Sequence, residues 1–76
     1  MSKAAILPAL HEVQTYSADF DNRSVDAIIR TNGGTYHTVE ILTYWDNGQT
    51  DREVRRCFSR SKAVTIATYM TTKTYL

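Results

Sequence analysis

Eleven residues, Thr35 to Trp45 (TYHTVEILTYW), constrain the fold more than any other stretch of the chain. They include no Gly or Pro and are dense in β-branched and aromatic types, which suit a pleated, half-buried surface. Asn32-Gly33-Gly34 precedes them and Asp46-Asn47-Gly48 follows, and each triplet carries residues that accept the positive φ of a tight hairpin turn. The segment is therefore expected to be a central strand shared by two hairpins. Within it, Val39, Ile41, Thr43 and Trp45 fall on one face with His37, while Tyr36, Thr38, Glu40, Leu42 and Tyr44 fall on the other. A leucine and two tyrosines make the second face too apolar for a plainly solvated surface, so it is expected to be partly covered or to bind.

The flanking segments extend this strand into a sheet. Val25 to Thr31 alternates, with Val25, Ala27 and Ile29 on one side, as a half-buried strand does. Thr50 to Phe58 reads as a third meander strand, with Arg52, Val54, Arg56 and Phe58 on one parity and Glu53, Arg55 and Cys57 on the other. Ala9 to Ser17 alternates imperfectly and is read as a strand; a short helix over Pro8 to Val13 is the rival, because Pro is tolerated in a first helical turn. Asp19 to Ser24 is a loop by composition, and Ala4 to Leu7 before Pro8 is a short apolar arm, either an edge strand or a docked segment.

Beyond Ser59-Arg60-Ser61, which offers an N-cap, Ala63, Ile66, Ala67 and Met70 recur at i, i+3, i+4, i+7. The spacing predicts a helix from Lys62 to about Lys73. A final strand competes, because Val64, Thr65, Ile66, Thr68, Thr71, Thr72 and Thr74 are β-branched. The helix is preferred because Ala63 and Ala67 let a helix approach a sheet closely and would waste core volume in a strand. The expected fold is α+β: one compact domain over residues 1–76, a small antiparallel meander of three to four strands, and a C-terminal helix packed on one face.

Size and composition narrow the functional classes. A 76-residue domain hides only about 60% of the surface its unfolded chain exposes, so the core is small and self-association into a dimer is a natural source of further stability. The longest apolar run, Ala4 to Leu7, is far too short for a membrane span or a signal-peptide core, and the lone Cys57 suits a reducing compartment. A cytoplasmic location without membrane association is the expectation. His11, His37 and Cys57 stand singly in sequence, without the close pairs of zinc sites, and Gly33-Gly34 lies between strands rather than before a helix. Cys57 beside Arg56 is read as a small buried hydrophobe rather than a reactive thiol. The chain is therefore expected to be non-enzymatic and to use no metal or cofactor.

Charge distribution says more than its sum. Residues 1–51 hold three basic side chains against seven acidic ones, a balance of −4, and residues 52–62 hold five basic against Glu53 alone, a balance of +4. Arg52, Arg55, Arg56, Arg60 and Lys62 form the strongest candidate binding feature, since a guanidinium presents a planar fork to carboxylates and phosphates. The bland alternative is an edge strand blunted by charge against aggregation. Tyr36 and Tyr44 are the second feature, since Tyr and Arg are favoured at interface hot spots. Trp45 and Tyr69 are read as core residues. Together these point to a small protein-binding module with an acidic partner surface, of the kind phages or mobile elements use to inhibit a host protein complex. A nucleic-acid binder that stacks bases on its tyrosines and a self-assembling structural module are the alternatives.

Overall fold

In the computed structural model, which describes residues 10–72, the chain forms four strands and one helix in the order β1 (His11–Asp19), β2 (Arg23–Thr31), β3 (His37–Trp45), β4 (Thr50–Cys57) and α1 (Arg60–Met70). The strands make one antiparallel sheet in sequence order, β1-β2-β3-β4, with the helix over β2 and β3 and a lesser contact to β4. The expected α+β meander with a helix on one face is present. The apolar arm Ala4 to Leu7 lies outside the described residues.

Turn chemistry sets the register. Gly33 and Gly48 have φ of 90° and 91°, the left-handed region that L side chains rarely adopt. Side chains complete these turns, with the Gly34 amide donating to Asn32 Oδ1 (2.8 Å) and the Gln49 amide to Asn47 Oδ1 (2.9 Å). Thr35 and Tyr36 belong to the β2–β3 turn, so the central strand starts two residues later than expected. The Asp- and Asn-rich loop shrinks to Phe20-Asp21-Asn22, closed by the Phe20 amide on the Arg23 carbonyl at 2.7 Å, because Asp19 and Ser24 pair across the hairpin.

The imperfect alternation before residue 17 has a structural cause. The β1–β2 register shifts between Glu12 and Gln14, leaving Val13 as a bulge, so the inward parity changes from His11 to Gln14, Tyr16 and Ala18. From His11 onward the segment is strand rather than helix, while Pro8 and Ala9 lie outside the described residues.

The core is one face of the sheet plus one stripe of the helix. Val25, Ala27, Ile29, Val39, Ile41, Cys57, Ala63 and Ala67 are all buried. Ala27, Ala63 and Ala67 have no exposed surface, consistent with a helix held close to the sheet by small residues at the contact. Ser59 caps the helix, its hydroxyl accepting from the Lys62 amide at 3.1 Å, so α1 opens two residues earlier than Lys62. It closes at Met70, where the Thr71 and Thr72 hydroxyls donate back to the Ala67 and Thr68 carbonyls at 2.8 and 2.5 Å. Two core assignments are corrected. Tyr69 is 78% exposed because the buried stripe of α1 passes through Ala63 and Ala67 and leaves position 69 outside it. Trp45 is half-buried at the end of β3, with its indole N–H donating to Asp51 and the Arg23 guanidinium 5.5 Å over its ring.

Candidate functional site

Among the described residues the helix covers one face of the sheet and no element covers the other, the open face. Strand register assembles it from Glu12, Thr15, Ser17 and Asp19 on β1, Ser24, Asp26, Ile28 and Arg30 on β2, Thr38, Glu40, Leu42 and Tyr44 on β3, and Thr50, Arg52, Val54 and Arg56 on β4. Tyr36 and Phe58 extend it at one end, their ring centroids 6.2 Å apart. Tyr44, Val54 and Phe58 are 42%, 46% and 71% exposed. Single exposed apolar side chains are ordinary, but these three share one face with half-buried Ile28, Leu42 and Tyr36.

An ion-pair cluster lies at the centre of this face. Glu40 accepts from Arg30 Nη1 at 2.5 Å on one side and from Arg52 Nε on the other. The arrangement follows from topology, since β3 carries Glu40 between β2 and β4, and each neighbouring strand presents one arginine to it. The hydrogen bond from Arg52, then that from Arg30, holds the Glu40 carboxyl below its ordinary value of 4.5, against the opposing effect of burial. Thr38, one step along β3, is buried although it points to the open side, with Arg30 and Arg56 as its cross-strand neighbours. One carboxylate between two guanidiniums leaves the cluster with excess positive charge. Among the described residues Arg56 has no ion-pair partner.

The basic segment does not form a single patch. Arg52 and Arg56 lie on the open face with Tyr36 and Tyr44, whereas Arg55 lies on the opposite parity of β4 and pairs with Glu53 at 2.7 Å. Arg60 opens the helix and donates to Gln14 Oε1 at 2.9 Å on β1, and Lys62 is exposed on the first helical turn. The expected binding set therefore divides into an open-face group, Arg52, Arg56, Tyr36 and Tyr44, and a helix-side group, Arg55, Arg60 and Lys62. Sequence reading put Glu40 on this face of β3 and Val54 and Phe58 on the parity of Arg52 and Arg56, but named none of them, nor Arg30, among the binding residues. The parity of β3 and β4 already carried the signal for the first three, and Arg30 needed the β2–β3 register.

Outside the central Arg30–Glu40–Arg52 cluster, the charged groups of the open face differ in sign from edge to edge. Glu12 and Asp19 lie on edge strand β1, and Asp26 lies beside them on β2, where it accepts from Ser17 Oγ at 2.8 Å. Edge strand β4 carries Arg52 and Arg56. One edge is acidic and the other basic.

On the covered face the register sets His11, Thr31, His37 and Cys57 in one row across the four strands. His37 and Cys57 are buried neighbours, and His37 Nδ1 has no hydrogen-bond partner among the described residues. Among the described residues no group of three or more His, Cys, Asp or Glu side chains is placed to hold a metal ion. No helix among them is long and apolar enough to cross a membrane. Comparison of the chain with family models, curated proteins and solved structures finds no match.

Proposed function

We propose that the protein is a non-enzymatic protein-binding module and that the open face of its sheet is the docking surface. The observation that carries this reading is the convergence on that one face of exposed Tyr44 and Val54 with Arg52 and Arg56, with the Tyr36–Phe58 ring pair beyond its end. Arg and Tyr are the side chains that interfaces favour, and the apolar groups supply area that becomes favourable once water is excluded. The excess guanidinium charge at Arg52 and Arg56 suits a partner surface that is acidic where it meets β4. Arg55, Arg60 and Lys62, on the helix side, serve solubility and the blunting of the sheet edge in this reading.

A photo-crosslinking residue at Tyr44, compared with one at Tyr69 on the exposed helix surface, tests the assignment in bacterial cells expressing the protein. Position 44 is expected to give a discrete protein adduct and position 69 none. Adducts to nucleic acid from position 44 would favour the base-stacking alternative, against which the acidic β1 edge of the same face weighs. No adduct from position 44 would overturn the reading.

A further inference from the structure

The basic edge of the open face calls for an acidic surface, and the same face carries one on its other edge. We propose that the open face is an interface between two copies of this chain, related by a two-fold axis running along the strands. The proposal rests on the docking assignment above and names the partner.

The geometry follows from the strand order. A two-fold axis parallel to the strands, lying between two open faces, sets β1 of each copy over β4 of the other and β2 over β3. A single cross-strand row contains Glu12, Arg30, Thr38 and Arg56, so this operation brings Glu12 over Arg56 of the other copy, twice by symmetry. Ser17, Asp26, Leu42 and Arg52 share another row, which sets Arg52 against the Ser17 and Asp26 pair of the other copy. The excess charge left where one Glu40 serves two arginines is thereby met by carboxylates. An axis in the same plane but across the strands would stack β4 on β4 and bring the basic edges together, which like-charge repulsion disfavours.

Area and composition agree with this pairing. Four strands about 4.8 Å apart and nine residues at about 3.4 Å give a face of roughly 19 by 30 Å. Two such faces hide on the order of 1,200 Å², the lower end of a stable interface. Ile28, Leu42, Tyr44 and Val54 supply its apolar part, and two twisted sheets packed face to face make an ordinary sandwich.

Charge exchange tests the pairing through its symmetry. Glu12 and Arg56 are both exposed in the monomer, so the single variants Glu12→Arg and Arg56→Glu are expected to fold, which circular dichroism and thermal melts check. Sedimentation equilibrium of the unmodified chain is expected to show twice the 8.7 kDa mass at high concentration, with dissociation favoured by salt. Each variant alone is expected to associate at least tenfold more weakly, since both symmetric contacts become repulsive. An equimolar mixture of the two is expected to recover association, because both contacts in the mixed dimer again pair opposite charges. An unmodified chain that stays monomeric up to millimolar concentration would overturn the second copy as occupant, while a Tyr44 adduct to a different protein would leave the docking face standing. A dimer that both variants form undiminished, or a mixture no tighter than its components, would overturn this pairing.

Discussion

Glu40 is the residue on which the open face turns, because it is clamped by an arginine from each neighbouring strand. Its folded carboxyl titrates below 4.5 while the unfolded one titrates near that value, so the unfolded chain takes up its proton first as pH falls. The associated stability is fully present at neutral pH, declines as pH drops through about 4.5 and is gone below the depressed folded value. Glu40→Gln is expected to cost about 1–2 kcal/mol at pH 7, since Arg52 is substantially exposed and solvent moderates its pair, and to flatten the acid side of the stability profile. Urea unfolding followed by the fluorescence of Trp45, the only tryptophan, measures both. Gly48 is a cleaner case. A Cβ there would meet nothing within 4 Å, so Gly48→Ala tests the backbone alone and is expected to destabilise by about 1–2 kcal/mol through its φ of 91°.

Among the elements, β2 and β3 were the most legible, because period-2 alternation and Asn/Gly turn triplets agreed about where each strand faces. Helix α1 was legible for a different reason. Seven β-branched residues argued for a strand, but Ala63 and Ala67 sit where the helix meets the sheet, and packing overrode propensity. Ala67→Leu is therefore expected to destabilise by about 1–3 kcal/mol through overpacking, and Ser59→Ala by about 1 kcal/mol through loss of the cap, both read from thermal or urea melts. The phase change in β1 was not legible in its cause, since a bulge at Val13 depends on its pairing with β2. The division of the arginines was legible in part. Alternation separates Arg55 from Arg52 and Arg56, but only the tertiary contact of Arg60 with Gln14 shows which side Arg60 joins. The adjacency of His37 and Cys57 likewise arises from strand register across 20 residues of sequence.

At the scale of the whole molecule, the described residues set one helix on a four-stranded sheet and leave its second face without a covering element, and this face is neither uniformly polar nor uniformly apolar. Its aromatic and aliphatic groups favour burial, while the carboxylates of β1 and the guanidiniums of β4, at opposite edges, define an orientation for whatever covers it. Steering by such edges is screened by salt, so association through the open face is expected to weaken several-fold between low salt and an ionic strength well above physiological. The most direct measurement is a methyl-resolved NMR dilution series from millimolar to micromolar chain. The open-face methyls of Ile28, Leu42 and Val54 are expected to shift together with concentration, while those of Ile29, Val39 and Ala67, buried between the sheet and the helix, stay in place. Shifts confined to helix residues such as Val64 and Ile66, or no concentration dependence at all, would contradict self-association through the open face.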